Sequence, residues 1–135
     1  MVRFEDIEVS TGGRMDLKEI TDRVKGFVRD SGVKQGLCVV HTVHSTAAIV
    51  VNEPEGGLMA DIQAKVGEDF PRNAGWEHDR VDGNADSHLA STYLGPTRVF
   101  PIREGSPVLG TWQGIFLLEL DGPRRRTVVL EAMGE

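Results

Sequence analysis

Cysteine is almost missing from this chain: Cys38 is the only one in 135 residues. That excludes a disulfide framework within the chain and a four-cysteine zinc site. Basic charge is also in deficit, with 15 Lys and Arg against 21 Asp and Glu and a formal net charge of −6. Such a surface repels a polyphosphate backbone, so nucleic acid is not an expected partner. No stretch approaches the roughly 18 uninterrupted apolar residues of a membrane span, and the opening MVRFEDIEVS mixes charges with apolar residues and has no signal-like core. Internal repeats, low-complexity tracts and linkers are absent as well. Together with a lone thiol inside the apolar run GLCVV, these absences predict a soluble, cytoplasmic, single domain over residues 1–135. A chain of this length buries roughly two thirds of its unfolded surface, so it needs no metal merely to fold.

What is present has readable periodicity. Val2, Phe4, Ile7 and Val9 alternate imperfectly with charges, as in an edge or half-exposed strand, and TGGR turns the chain. Leu17, Ile20, Val24, Phe27 and Val28 recur at helical spacing, and Asp16 with Glu19 reads as a capping box for a helix ending near Gly32. Residues 36–43 and 46–51 are β-branched or small and mostly apolar, as in strands covered on both faces. Leu58, Ile62, Val66 and Phe70 form a second helical stripe, with Pro54 suited to its first turn. Residues 71–87 read as a long ordered loop, a place where function concentrates. A short helix through HLASTYL and strands at 97–102, 113–120 and 126–132 complete about seven strands and three helices. Strands and helices do not alternate regularly, so the expected fold is α+β, a mostly antiparallel β-sandwich with flanking helices.

Three of the four histidines are the candidates for chemistry. His44 ends a strand, His78 sits in the long loop and His88 in the following helix. Imidazoles gathered from distant segments are what an open catalytic metal site uses. His41 would face away from His44 along an extended strand and is assigned to packing or surface. Glu53 and Asp61 are candidate catalytic carboxylates, able to orient a ligand imidazole or take a proton, although each also fits an ordinary solvated helix-start charge. Asn84, four residues before His88, is placed to hold a substrate group, with helix capping as its plain alternative. Ser45 and Thr46 offer hydroxyls beside His44, and Gln113, between Gly110 and Gly114, offers an amide to a planar heterocycle. Ile115 to Leu118 lack a solvent face, which suggests cover on both sides, partly from another subunit. Arg124 to Arg126 read as a solvated charge run.

VHSTAAIVVNE, HDRVDGNADSHL, LGTWQGI and DGPRRRTVVLEAMGE together resemble the YjbQ-like family, whose members are often labelled secondary thiamine-phosphate synthases, and the likeness covers nearly the whole chain. The resemblance implies a homotrimeric β-sandwich with a pocket lined by His44, His78, His88, Glu53, Asp61, Asn84 and Gln113. It also implies a reaction joining a pyrimidine methyl diphosphate to a thiazole phosphate with release of pyrophosphate, hence a small phosphorylated heterocyclic substrate. Ser45 stands where relatives commonly carry threonine, and His41 where they carry an apolar strand residue. Three imidazoles suit a divalent ion such as zinc, with magnesium, which carboxylates usually hold, as the alternative. Metal-dependent hydrolysis of a small phosphorylated or amide substrate, and a non-catalytic trimer that binds a metal or ligand, are the competing expectations.

Overall fold

Alternating burial along the first strand shows how the sandwich is built: in β1 (Val2–Ser10) only Ile7 and Val9 reach the core. The computed structural model describes residues 1–135. After β1 come β2 (Asp16–Glu19), α1 (Thr21–Ser31), β3 (Gln35–Thr42), β4 (Ala47–Asn52), α2 (Gly56–Asp69), a 3-10 turn at Glu77–Arg80, α3 (Ala85–Leu94), β5 (Thr97–Arg103), β6 (Ser106–Pro107), β7 (Gly114–Glu119) and β8 (Arg125–Gly134). One sheet has the order β1-β8-β3-β5-β6 and the other β2-β7-β4. Every pairing is antiparallel, so the expected α+β sandwich is the one that forms. No helix is long and apolar enough to cross a membrane.

The main core joins Ile7, Val40, Val128 and Leu130 of the five-stranded sheet to Val24, Phe27 and Val28 of α1 and to Ile49, Ile115 and Leu117 of the three-stranded sheet. A second cluster lies on the other face of the smaller sheet, where Leu17, Ala48, Phe116 and Leu118 meet Val66 of α2 and Ala90 of α3. All six residues of β7 are therefore buried within one chain. The expected cover of Ile115 to Leu118 on both sides is thus present, and it comes from elements of the same chain, without the part expected from another subunit. The five-stranded sheet is covered on one face only: Phe4 is 66% and Val99 53% exposed on its outer side, beside Leu37 and Met133. β3 thus keeps an open face, against the expectation of cover on both.

Three element assignments change with tertiary context. Asp16–Glu19 pairs with β7, Leu17 opposite Leu118, instead of opening a helix. The side chains expected to form a capping box are engaged elsewhere: Asp16 Oδ2 accepts the Gly12 amide at 2.8 Å, and Glu19 Oε2 accepts the Thr21 hydroxyl at 2.8 Å. An open strand edge outweighed a modest helical preference. α1 does end at Gly32, whose φ of 80° favours glycine. Glu55 caps α2 by accepting the Gly57 and Leu58 amides, so Pro54 stands before the helix. The loop at 71–87 contains the 3-10 turn, and α3 begins at Ala85 within it.

The sheets are tied at one end by an ion pair. Glu119 closes β7 and Arg126 lies in β8, and they are 0% and 3% exposed. Arg126 donates from Nε to Glu119 Oε1 at 2.9 Å and from Nη2 to Glu119 Oε2. Arg126 Nη2 also reaches Thr46 Oγ1 at 2.8 Å and the Thr46 carbonyl at 3.1 Å. The carboxylate accepts further from Thr11 Oγ1 at 2.8 Å and from the Leu120 and Asp121 amides at 3.1 and 3.0 Å. Burial alone would raise the Glu119 pKa, yet the hydrogen bonds from Arg126, the Asp121 amide and Thr11 hold it below the usual carboxylate range.

Removing one partner leaves a buried unpaired charge, so Glu119→Gln should cost about 3–5 kcal/mol, whereas Glu119→Leu with Arg126→Met should cost less than either single change. Denaturant midpoints measure both; a double variant less stable than the singles would contradict this account. Because the folded carboxylate pKa is lowered, its stabilisation is present above the usual carboxylate range and is lost as pH falls through the folded value.

Candidate functional site

The long loop delivers chemistry because its 3-10 turn is pinned to the start of α3. Asp79 Oδ1 accepts the Ala85 amide at 3.0 Å, and the Val81 amide donates to the His78 carbonyl at 2.9 Å. His78 in the turn and His88 in the first part of α3 are thereby brought together, their ring centroids 4.6 Å apart at an interplanar angle of 78°. His78 is 41% exposed, and its Nε2 lies 3.9 Å from Asp82 Oδ2. The pair borders a cavity of about 280 Å³ whose other walls are Trp76, Glu77, Ala85 and Leu89.

Under this cavity the start of α3 is braced by charge. Arg14 grips Asp86 with two bonds of 2.9 and 3.2 Å; the Asp86 hydrogen bond raises the Arg14 pKa. Asn84 occupies the N-cap position without capping. Its Nδ2 donates instead to Asp121 Oδ2 at 2.8 Å, and Arg124 Nη2 approaches the same oxygen at 3.1 Å. Burial would raise the Asp121 pKa, but the hydrogen bonds from Asn84 and Arg124 outweigh it and lower it. Asn84 Oδ1 and Asp79 Oδ2 are buried acceptors without a hydrogen-bond partner.

His44 does not join His78 and His88 within the chain. Its Nε2 accepts the Thr127 amide at 2.9 Å, which places the proton of the neutral ring on Nδ1. Burial and the Arg126 charge lower its pKa, so the ring is neutral at neutral pH. No group of three or more His, Cys, Asp or Glu side chains is arranged to hold a metal ion, and the expected set of His44, His78 and His88 is thus a pair plus a separate ring. The Thr127 amide of β8 occupies Nε2 of His44 and ties that ring to the sheet, away from the turn and helix that carry the pair.

The other expected residues are distributed as well. Thr46 is buried and holds Arg126, while Ser45 is exposed in the turn between β3 and β4. Glu53 and Gln113 share a second cavity of about 500 Å³ with Trp112, and Gln113 Oε1 accepts the Gly110 amide at 2.8 Å. Asp61 is an exposed residue of α2 beside Leu58 and Lys65. Neither of these lining sets shares a residue with the His78–His88 cavity. His41 packs on the outer sheet face with Nδ1 2.6 Å from Thr97 Oγ1. All three arginines of the run are ion-paired, Arg124 with Asp121, Arg125 with Glu8 and Arg126 with Glu119. Sequence reasoning missed the Arg14–Asp86 and Glu119–Arg126 pairs; the available signal was a lone glutamate ending the apolar run GIFLLE.

A family profile described as UPF0047 protein YjbQ-like matches residues 5–135. A UPF0047 protein of Methanothermobacter thermautotrophicus is 40% identical over 99% of this chain and 94% of its own length. YugU of Bacillus subtilis is 32% identical over 97% of this chain and 99% of its own. Among solved structures, a YbjQ-like protein from Sulfolobus solfataricus superposes with a TM-score of 0.99 at 51% identity, covering 100% of this chain and 99% of that one. A protein from Aeropyrum pernix gives 0.96 at 41% identity, covering 98% and 99%. The shared sandwich and the sequence match over almost every residue place the chain in the UPF0047, YjbQ-like family.

Proposed function

We propose that the chain binds a divalent metal ion through His78 and His88 and acts as a transferase of the secondary thiamine-phosphate synthase kind, joining a pyrimidine methyl diphosphate to a thiazole phosphate. The observation that carries the metal half is the imidazole pair, two edge-to-face rings with centroids 4.6 Å apart beside an open cavity. The donors fit two ligand positions, and nitrogen donors suit zinc better than magnesium. When bound, the ion would supply positive charge against a departing pyrophosphate. The chain's own part is positioning: the Asp79–Ala85 and Arg14–Asp86 contacts hold the two rings in place. Trp76 and Leu89 offer an apolar wall to a flat heterocycle. His44 belongs to this reading as a hydrogen-bond donor through Nδ1, not as a ligand. The transfer reaction itself rests on the family resemblance. The same pair leaves positions open to water, which keeps metal-assisted hydrolysis as the alternative outcome of an assay.

A homotrimer is part of the proposal, supported by the uncovered apolar face of the five-stranded sheet around Phe4, Leu37 and Val99. A cytoplasmic setting is supported by Cys38, a buried free thiol whose pKa burial pushes up to about 12, inert and unpaired.

Metal analysis of zinc-loaded protein tests the ligand set. His78→Ala and His88→Ala should each weaken binding by more than the roughly 10–100-fold that loss of a supporting residue costs, and His44→Ala should leave it unchanged. Loss of metal in His44→Ala, or full synthase activity in metal-free protein, would contradict the proposal. A second test concerns His44 alone. Its folded pKa is lowered, so as pH falls from the ordinary imidazole value of about 6.5 toward the folded value, the unfolded chain takes up the proton first. Thermal midpoints should therefore decline over that interval in the wild type and more shallowly in His44→Gln.

A further inference from the structure

Two Asp-Gly dipeptides occur in the chain, at Asp82 with Gly83 and at Asp121 with Gly122, and the fold treats them in opposite ways. Aspartate before glycine carries a latent reaction, because glycine has no side chain to keep its nitrogen away from the preceding carboxyl. How fast it runs depends on how firmly the surrounding structure holds both groups. At Asp121 both are held. Asp121 Oδ2 accepts from Asn84 Nδ2 at 2.8 Å and from Arg124 Nη2 at 3.1 Å, and the side chain is only 17% exposed. The Gly122 amide donates to the Arg14 carbonyl at 2.9 Å. A Cβ on Gly122 would collide with the Gly13 carbonyl oxygen, so the backbone there has no room to turn.

Asp82 and Gly83 lie between the 3-10 turn and α3, and neither is held. The Asp82 side chain is 60% exposed, and its one charged neighbour, His78 Nε2, stands 3.9 Å away. The Gly83 amide donates to no group of the chain, and a Cβ on Gly83 would meet no atom within 4 Å. We infer that this dipeptide is a modification site, where the backbone isomerises without an enzyme to isoaspartate. The Gly83 nitrogen attacks Cγ of the Asp82 carboxylic acid; an N–C bond forms, and a carboxyl oxygen leaves as water with the amide proton and the carboxyl proton. Water then opens the five-membered imide. Cleavage at Cγ returns aspartate, whereas cleavage at the main-chain carbonyl carbon gives isoaspartate, whose backbone runs through the former side chain. One water is lost and one gained, so no oxidant or cofactor enters. The bond from Asp79 Oδ1 to the Ala85 amide spans this link, so the extra methylene falls inside the latched segment and shifts the turn that carries His78 against the helix that carries His88. The site is independent of the metal and of the transfer reaction proposed above.

Prolonged incubation of the folded protein, followed by peptide mapping with electron-transfer fragmentation, locates and counts isoaspartate at each dipeptide, and Asp121 serves as the internal control. Isoaspartate at Asp82 should accumulate roughly tenfold or more faster than at Asp121, since at least one hydrogen bond must open before Asp121 can react. In protein unfolded by urea the two sites should react at similar rates. Asp82→Glu, which would require a larger ring, should abolish the signal at that position, and Arg124→Ala should raise isomerisation at Asp121 alone. Equal rates at the two sites in the folded protein, or no isoaspartate at Asp82 while the unfolded chain forms it, would overturn the assignment. The isomerised fraction should also show displaced imidazole NMR signals for His78 and His88; ring signals identical to those of the fresh protein would overturn the effect on the pair.

Discussion

The buried pair of Glu119 and Arg126 is the constraint on which the sandwich depends. One residue closes the central strand of the smaller sheet and the other lies in the larger sheet, so their contact sets how the two layers meet at that end. Removing two charges from water is costly, and it is tolerable here because each carboxylate oxygen and the guanidinium are met by several partners, from Thr11 and Thr46 to the Leu120 and Asp121 amides. A satisfied polar network of this kind discriminates among packings more than it adds stability, since a slip of β8 by one residue would expose Arg126 and bury its neighbours. Its charge also reaches outward: Arg126 contributes to keeping His44 neutral.

The second feature of consequence is the unequal cover of the two sheets. α2 and α3 close the outer face of the smaller sheet, and this leaves β7 without a solvent face. Nothing in the chain closes the outer face of the larger one. α3 serves a double purpose, because its inner side packs on the smaller sheet through Ala90 while its first turns carry His88 beside His78. Ser87 and Ser91 donate to the Leu120 and Ala47 carbonyls and hold the helix down. The imidazole pair is thus mounted on an anchored element, with the 3-10 turn as the part that must be latched to it by Asp79.

Around the pair, polar groups are not all satisfied. Asp79 Oδ2 and Asn84 Oδ1 are buried acceptors without partners, both in residues that position the start of α3. Unpaired buried acceptors carry a desolvation cost that a fold bears where the arrangement serves something besides stability. They stand at the junction of turn and helix, the same junction that sets the spacing of the two rings.

By itself, the sequence determined the sandwich class, the antiparallel pairing expected of its strands, and the stripe of Ile62, Val66 and Phe70, with Met59 packing in the place expected of Leu58, because burial periodicity is a local property of the chain. It also singled out the loop before α3 and the histidines His78 and His88, because polar, turn-rich segments next to a helix start are visible residue by residue. Only the tertiary structure decided that Asp16–Glu19 is a strand, since the edge of β7 recruits it. The same holds for His44, whose nitrogen is claimed by the Thr127 amide of a strand 83 residues away, and for Glu53 and Gln113, which gather in a cavity of their own. Which donors meet which partners depends on contacts between distant segments, and no periodicity encodes those.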